Sequence, residues 1–310
     1  MTAPVTIDVR GLTKRFAGRT VVDHVDLKVA EGRICGFLGP NGSGKTTTLR
    51  MICGLLIPDE GEGEVLGLDL RTQRGLIKRQ IGYMTQKFGL FGDLTIRENL
   101  EFVARVYGLD RTTARVDEAL VQLGLDTRSD QLAGKLSGGW KQRLALAASV
   151  LHEPRILLLD EPTAGVDPQA RREFWDRIHA LAATGITVLV STHYMDEAER
   201  CHEIAYIAYG VMLARGTTTE VIAGAGLHAL TGEGPGADRL APELQARPGV
   251  STAAPFGTIL HVCGPDPKQL REAVRPWAQT IRWTPVEPTL EDVFIDLMRS
   301  AVDNSVGATP

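Results

Sequence analysis

The stretch GPNGSGKT, residues 39–46, constrains the fold of this 310-residue chain more than any other feature. It fits the pattern GxxxxGK[ST], follows the apolar run RICGFL, and precedes TTTLRMICGLL, whose apolar spacing suits a helix. Glycines in a loop between a buried strand and a helix let backbone amides surround an anion at the positive end of the helix. The chain is therefore predicted to be an α/β protein that binds a nucleotide.

The side chains of this loop predict how the phosphates and a magnesium ion are held. Lys45 adds a positive charge near the β and γ phosphates, and the Thr46 hydroxyl can ligate Mg²⁺. The residues predicted to bind the nucleotide here are Gly39, Pro40, Asn41, Gly42, Ser43, Gly44, Lys45, Thr46 and Thr47.

A pair of carboxylates follows the apolar run ILLL at residues 156–159. Asp160, at the end of this buried strand, can hold Mg²⁺ directly or through water. Glu161 beside it is suited to polarise an attacking water molecule. The alternative for Glu161 is a capping carboxylate before Pro162.

A second anion site is predicted at LSGGWKQRL, residues 136–144. The segment reads as the start of a helix, yet it opens with a serine and two glycines, and glycines weaken helix interiors. Amides without side chains at a helix N-terminus suit an anion, because the unpaired N–H groups and the helix dipole act together. The chain thus carries two anion sites.

Hydrophobic periodicity predicts the surrounding elements. Alternation over residues 5–30, with a turn at Ala17-Gly18, is typical of antiparallel strands at a sheet edge. The apolar runs at 156–161 and 186–193 read as strands buried on both faces of a parallel sheet. Helical spacing predicts a helical insert over about 87–150.

The composition of the chain changes after these elements. Residues 224–250 are rich in glycine, proline and alanine and have weaker periodicity, which places a domain boundary near residue 222. Residues 223–299 are predicted to form a small C-terminal α/β domain, and residues 300–310 a flexible tail.

Composition excludes several classes. A net charge of −4 and a pI near 6.0 give no global attraction to nucleic acid, so no nucleic-acid partner is expected. The four cysteines are scattered singly, without a CxxC pair, which indicates free thiols in a reducing cytoplasm. The uncharged run at 204–214 is shorter than the roughly 20 residues of a membrane-spanning helix. Membrane association is therefore expected only through a partner.

Four motifs, GPNGSGKTT, LSGGWKQR, LLLDEPTAGVDP and STH, resemble in order those of the ATP-binding-cassette (ABC) ATPases over residues 39–193. The resemblance implies a RecA-like P-loop NTPase core with an antiparallel β edge and an α-helical subdomain. In that family two ATPase domains pair head to tail, and the signature motif of one closes on the γ phosphate held by the other. Ser137, Gly138 and Gly139 would then bind ATP held by a second subunit, expected in a homodimer.

The resemblance implies further roles. Gln86 in YMTQ would sense Mg²⁺ and the γ phosphate, His193 would contact the γ phosphate, and Asp167 would lie at the dimer contact. Phe16 stands where the family stacks an aromatic residue, commonly tyrosine, on adenine. Each residue has a structural alternative: Gln86 as a surface amide, His193 as a core histidine at a strand end, Asp167 as a helix cap and Phe16 as a packed core residue. Trp140 replaces a glutamine often found after the signature glycines; the site should survive because it uses backbone and serine.

The stretch from EPTAGVDP to CHEIAYI, with the late PTLEDVFIDLMR, resembles the ATPase subunits of the type-2 ABC export family. This implies a subunit that hydrolyses ATP to power a separate membrane permease, for drug-like or hydrophobic compounds. Such a subunit is cytoplasmic and peripheral on the inner face of the cell membrane. The permease contact is predicted at Phe88, Leu90 and Phe91, where the alternative is core packing of the insert.

Two other classes compete with the exporter. A soluble ABC ATPase of translation or DNA repair would usually carry tandem cassettes or a long coiled-coil insertion, and the sequence has neither. A phosphoryl-transferring kinase built on the same loop would have no use for LSGG or for Glu161 together with His193.

Overall fold

The computed structural model describes residues 4–301, so residues 302–310 of the predicted tail lie outside the described part. The described backbone divides into two compact units, residues 4–212 and 213–301. The division falls within the strand Val211–Gly216, before the change of composition near residue 222. The amino-acid composition does not change at Met212, because the strand Val211–Gly216 runs across the division.

The first unit combines two sheets with helices. Its strands are β1 (Val5–Phe16), β2 (Arg19–Ala30), β3 (Ile34–Leu38), β4 (Glu60–Val65), β5 (Leu68–Asp69), β6 (Ile81–Met84), β7 (Ile156–Asp160), β8 (Thr187–Thr192), β9 (Glu203–Ala208) and the start of β10 (Val211–Gly216). Its helices are α1 (Lys45–Ile52), α2 (Arg74–Gln80), α3 (Ile96–Val106), α4 (Thr112–Gln122), α5 (Gly138–Val150), α6 (Pro168–Ala183) and α7 (Met195–Ala198).

A six-stranded sheet with the order β10-β9-β3-β8-β7-β6 forms the centre of this unit. Strands β6, β7, β8, β3 and β9 run parallel, and every residue of β3, β7 and β8 is buried. In register, Leu38 lies opposite Thr192, and Asp160 opposite Ser191. Because the carboxyl ends of these strands meet at one edge, the segments that follow them converge there.

The predicted antiparallel edge is confirmed. Strands β1 and β2 pair antiparallel in a four-stranded sheet of order β2-β1-β4-β5. The turn between them lies at Ala17 and Gly18, both of which have positive φ. Strand β1 ends at Phe16, which places this aromatic ring at the end of the sheet.

Helices α3, α4 and α5 occupy the predicted helical insert. Helix α3 begins with a capping box, in which Thr95 accepts from the backbone of Glu98 and Glu98 accepts from Thr95. Its inner face buries Ile96, Leu100 and Ala104, as the spacing of these residues requires. Their core also takes in Leu144 of α5.

The second unit consists of strands β11 (His228–Glu233), β12 (Thr252–Phe256), β13 (Ile259–Gly264) and β14 (Arg282–Val286), with helices α8 (Thr218–Gly224), α9 (Ala241–Gln245), α10 (Pro267–Val274) and α11 (Leu290–Ser300). The strands form an antiparallel sheet of order β12-β13-β11-β14. The edge strands contain Pro255 and Pro285, and proline cannot donate to an added strand. Both edges are thereby protected against pairing.

Two predictions about the whole chain can be compared with the described residues. No helix within residues 4–301 is long and apolar enough to cross a membrane. All four cysteines are free thiols, as predicted from their spacing.

Candidate functional site

The loop between β3 and α1, residues 39–44, packs so closely on its neighbours that two positions admit only glycine. A Cβ on Gly39 would lie 2.0 Å from the carbonyl oxygen of Ile207, and one on Gly44 would lie 2.7 Å from that of Val21. Both residues also have positive φ, of 155° and 99°. The loop therefore keeps its backbone exposed to a ligand instead of covering it with side chains.

The start of helix α1 is open to an anion. Among the residues described, no side chain caps its first turn, and that turn contains no acidic residue. The buried Oγ of Ser43 likewise has no hydrogen-bond partner within residues 4–301. Unpaired donors at the positive end of a helix form an anion site, so this segment fits a phosphate.

Lys45 is buried and lies across the loop. Its Nζ donates to the carbonyl oxygens of Gly39 at 2.7 Å and Pro40 at 3.0 Å, and it lies 3.3 Å from Oε1 of Glu161. Burial lowers the pKa of Lys45, and the charge of Glu161 opposes this shift. The ammonium group is thus held at the loop by neutral carbonyls that a phosphate can replace.

Asp160 anchors a network at the end of β7. Its Oδ1 accepts from Thr46 Oγ1 at 3.0 Å and from Ser191 Oγ at 2.8 Å, and Oδ2 accepts from the Tyr83 hydroxyl at 3.4 Å. Burial, together with the charge of Asp160, raises the pKa of Tyr83 to about 12. The carboxylate is therefore oriented from three sides and joined to the phosphate loop through Thr46.

The carboxylate of Glu161 lies at the centre of the predicted catalytic residues. Besides Lys45, it contacts Gln86, whose Nε2 donates to Oε2 at 3.1 Å. Nδ1 of His193 lies 3.4 Å from the same oxygen but forms no hydrogen bond with any described residue. The cleft at this point has a volume of about 240 Å³. Its lining consists of Val21, Asn41, Gly42, Gly44, Lys45, Thr46, Thr47, Gln86 and Glu161.

The backbone of Glu161 is strained. Its φ is 46°, a conformation that costs a residue with a side chain about 1–3 kcal/mol. The Glu161 amide donates to both the Oγ of Ser191, at 2.9 Å, and the carbonyl oxygen of Ser191, at 3.1 Å. Strand β8 therefore holds Glu161 in a conformation that aims its side chain at the loop.

The second anion site lies at the start of α5. Ser137 occupies the N-cap position and is exposed, as is Gly138, and within the described chain the Ser137 side chain makes no capping bond. A Cβ on Gly139 would lie 2.8 Å from that of Ala170, which explains the second glycine by the close packing of α5 on α6. The serine hydroxyl and first amides are thus available to a ligand from outside.

This second site has its own cavity, of about 310 Å³, between α5 and α6. The residues around it are Ser137, Gly139, Trp140, Gln142, Arg143, Pro162, Thr163, Val166, Asp167, Gln169, Ala170, Glu173, Phe174 and Arg177. None of the described residues that line it also lines the cleft at the phosphate loop. The two predicted anion sites are therefore separate within one chain.

Trp140 stands where the ABC ATPases often have a glutamine, and its ring packs against residues of its own chain. The guanidinium groups of Arg128 and Arg143 lie 4.6 Å and 4.4 Å from its ring centroid, and Arg143 forms a 2.6 Å ion pair with Glu173. This cluster links residue 128 and α5 of the insert to α6. The tryptophan leaves the exposed Ser137 and Gly138 uncovered.

The remaining predicted residues are found as follows. Phe16 is 46% exposed, with Lys14 Nζ 5.6 Å from its ring centroid, so the alternative of a packed core residue is wrong. Asp167 is exposed and caps α6, accepting from the amide of Ala170 at 3.0 Å. Gln86 is exposed but bonded to the Glu161 carboxylate. Sequence reasoning did not single out the buried polar residues Asn99 and Glu197. The partners of Asn99 lie four to eight residues before it, whereas Glu197 pairs with the nearby Thr192 and the distant Thr163.

Comparison with known proteins agrees with this geometry. Residues 22–164 match the protein family described as ABC transporter. The chain is 36% identical, over 94% of its length and 97% of the relative's, to the Nod factor export ATP-binding protein I of Rhizobium sp. (strain N33). It is 47% identical over 69% of its length to the probable multidrug ABC transporter ATP-binding protein YbhF of Escherichia coli (strain K12), of which it spans 38%.

Solved structures show the same fold. The cbiO1 protein of Clostridium perfringens, part of the ABC transporter complex cbiONQ, is 28% identical with a TM-score of 0.66 and covers 71% of this chain and 91% of its own. An ATP-binding cassette solved as a dimer in a post-hydrolysis state with ADP and Pi is 28% identical with a TM-score of 0.63, over 68% of this chain and 98% of its own. The phosphate loop, the carboxylate pair and these likenesses together show that the chain belongs to the ABC transporter family, as one of its ATP-binding proteins.

Proposed function

We propose that this protein is the ATP-hydrolysing subunit of an exporter and powers a separate membrane permease. One observation carries the hydrolytic part: the Glu161 carboxylate is contacted by Lys45, Gln86 and His193 at the mouth of the phosphate loop. The names of the relatives, multidrug transport and Nod factor export, support an export role and a drug-like or hydrophobic cargo. A soluble ATPase of translation or DNA repair is not favoured by these names.

Binding of ATP uses the loop and its side chains. The phosphates take the backbone amides at the start of α1, and Lys45 exchanges the carbonyl oxygens of Gly39 and Pro40 for the β and γ phosphates. The Ser43 hydroxyl gains a partner that it lacks among the described residues. The exposed ring of Phe16 stacks on adenine, retaining the aromatic contact without a hydroxyl.

The donor atoms beside the loop fit Mg²⁺, a hard cation that prefers oxygen ligands and keeps several waters. The hydroxyl of Thr46, the carboxylate of Asp160 and the amide oxygen of Gln86 would hold it. Within the described residues no cluster of three or more His, Cys, Asp or Glu could hold a metal, so phosphate and water oxygens would complete the shell. When bound, the ion neutralises charge on the phosphates.

Hydrolysis uses the central carboxylate as a base. Glu161 accepts a proton from water as the water oxygen bonds to the γ phosphorus and the bond from that phosphorus to the β–γ bridging oxygen breaks. Gln86 orients Glu161 through its 3.1 Å hydrogen bond. Nδ1 of His193, which forms no hydrogen bond with any described residue, is available to the γ phosphate beside Glu161. Lys45 stabilises the negative charge that develops on the β phosphate of the departing ADP.

A second subunit completes each site. Ser137 and Gly139 line a cavity separate from the phosphate loop of their own chain, and Gly138 between them is exposed. The exposed and uncapped Ser137 is then available to the γ phosphate of ATP held by another chain, in a homodimer. A dimeric cassette with ADP and Pi among the solved neighbours supports this arrangement. Hydrolysis loosens the interface, and its opening and closing drive the permease.

The permease contact is proposed at two exposed phenylalanines. Phe91 and Phe102 are 47% and 44% exposed, and their rings meet edge to face with centroids 5.0 Å apart. The fully buried Asn99 fixes the backbone of Phe91, donating to its carbonyl oxygen and accepting from its amide, both at 2.9 Å. Phe88 and Leu90, also predicted for this contact, are half-buried against the core of the insert. The exposed pair suits an apolar helix of the permease.

The exporter assignment predicts the effect of a charge on this surface. Wild-type protein purified from its native membrane in mild detergent should carry a stoichiometric polytopic membrane protein, identified by mass spectrometry. Phe102→Asp should lose that partner, because a carboxylate would have to be desolvated at an apolar contact. The ATPase activity of the isolated chain should stay within about twofold of the wild-type value, since a substitution at an exposed position usually changes the stability of the protein very little.

Val121→Asp provides the matched control, because Val121 is a 67% exposed apolar residue on α4 of the same insert. It should retain the membrane partner. Retention of the partner by both variants would place the contact away from Phe102, and equal loss from both would show that the effect is not specific to this residue. Ribosomal or DNA-repair proteins in place of a membrane protein would overturn the exporter assignment and favour the soluble class.

A further inference from the structure

One buried carboxylate in the first unit is not used by the proposed mechanism. Glu197, on the short helix α7, has no exposed surface. Its Oε1 accepts a short hydrogen bond from the hydroxyl of Thr163, and its Oε2 accepts one of 2.6 Å from the hydroxyl of Thr192. Both hydroxyl-bearing residues are buried as well. The carboxylate therefore joins two segments that are 29 positions apart, 192 minus 163.

These two threonines stand beside the reacting groups. Thr163 lies two residues after Glu161, and Thr192 directly precedes His193. The Thr192 hydroxyl also accepts from the amide of Tyr194 at 3.0 Å, so it fixes the backbone on both sides of His193. The bridge formed by Glu197 thus ties together the segments that bring Glu161 Oε2 within 3.4 Å of His193 Nδ1.

The charge of Glu197 is balanced from one side. Arg171 of α6 places its Nε 3.7 Å from Oε1, and the same arginine stacks on Tyr194 at 4.2 Å. An unpaired charge in such a position would be costly, since burial removes its hydration. Two hydroxyl donors and one guanidinium supply that compensation and orient the carboxylate.

We infer that Glu197 is a positioning residue for ATP hydrolysis, acting through Thr163 and Thr192 to hold Glu161 and His193 at their working separation. The inference rests on the proposed function. Because the phosphate loop lies on other elements, loss of the bridge should change the turnover of bound ATP and leave its affinity intact. A displacement of about 1 Å at a catalytic group can reduce turnover about 10²-fold.

The test compares three full-length variants. Glu197→Ala removes the bridge and should lower kcat about 10- to 100-fold, while the Kd of a fluorescent ATP analogue changes less than about threefold. Glu197→Gln should restore kcat to within about threefold of wild type, because its amide can accept from one hydroxyl and donate to the other. Glu199→Ala, a matched change at an exposed position two residues along, should behave as wild type.

Each outcome of these measurements supports or overturns the bridging role of Glu197. An unchanged kcat in Glu197→Ala, or an equal loss in the Gln and Ala variants, would overturn the bridging role; the second result would assign the effect to charge. If Glu197→Ala fails to fold, Thr163→Val decides, since it keeps the side-chain shape and removes one bond: lowered kcat at unchanged affinity supports the inference, and unchanged kcat overturns it. A wild-type chain that hydrolyses no ATP would refute the proposed function itself, and the inference with it.

Discussion

Glu161→Gln is expected to reduce ATP turnover about 10²- to 10⁴-fold, the usual contribution of a positioned general base. The substitution keeps the size of the side chain but removes the oxygen that accepts the proton from water. ATP binding should remain, because the loop amides and Lys45 are untouched. Since the dimer then cannot loosen by hydrolysis, ATP-bound dimers should accumulate. Steady-state phosphate release and gel filtration with ATP measure the two effects.

Glu199→Gln is the control for this substitution, because it makes the same chemical change at an exposed position of the first unit. Its turnover and its elution with ATP should match those of the wild type. ATP hydrolysis at the wild-type rate in the Glu161→Gln protein would remove Glu161 from the role of base. The carboxylate would then be a structural group that supports the end of β7.

Lys45→Ala should instead weaken ATP binding, by about 10- to 100-fold in Kd, since a charged hydrogen bond contributes about 1.5–3 kcal/mol. The ammonium group of Lys45 is buried at the loop, and its Nζ lies 3.3 Å from Oε1 of Glu161. Titration with a fluorescent ATP analogue measures the change.

The control for Lys45→Ala is Lys78→Ala, which removes an exposed lysine from α2. Its affinity for the analogue should equal that of the wild type. If Lys45→Ala bound the analogue with unchanged affinity, the loop would not hold phosphates in the manner proposed here.

The elements that carry the site could be predicted from sequence because their signals are local. A wholly apolar run such as ILLL, followed by two carboxylates, indicates a buried parallel strand that ends in polar groups. Once several such strands are placed in one sheet, their carboxyl ends must meet. This argument applies to Asp160 and Glu161. The place of His193 came from the family resemblance, and the structure brings its Nδ1 within 3.4 Å of Glu161 Oε2.

The features that the sequence did not reveal depend on partners far away in the chain. Strand β11 (HALTGE) lies within the stretch of weak periodicity that indicated a domain boundary, where no strand was predicted, and it is one of the two inner strands of its sheet. At Gly232 the ring of Trp283 covers the backbone, so that a Cβ would lie 2.5 Å from it. The absence of a side chain is thus a packing requirement and not a turn signal.

Buried polar residues were missed for a similar reason. Glu197 stands in the polar stretch YMDEAER, where nothing local distinguishes it from its exposed neighbours Asp196 and Glu199. Its carboxylate accepts from the nearby Thr192, and the fold brings to it the hydroxyl of Thr163, 34 residues earlier. Trp140 was noted in the sequence, but its stacking with Arg143 of its own helix and with Arg128 was not predicted.

The central claim is that each ATP is enclosed by the phosphate loop of one chain and the signature motif of another. Mixing Lys45→Ala subunits with Ser137→Arg subunits, each inactive alone, tests it most directly. The account predicts that equal mixing restores about a quarter of the wild-type ATPase rate, because half of the randomly formed dimers are mixed and each mixed dimer has one intact site of two. A mixture no more active than its separate components would show that each chain encloses its own ATP, and would contradict the account.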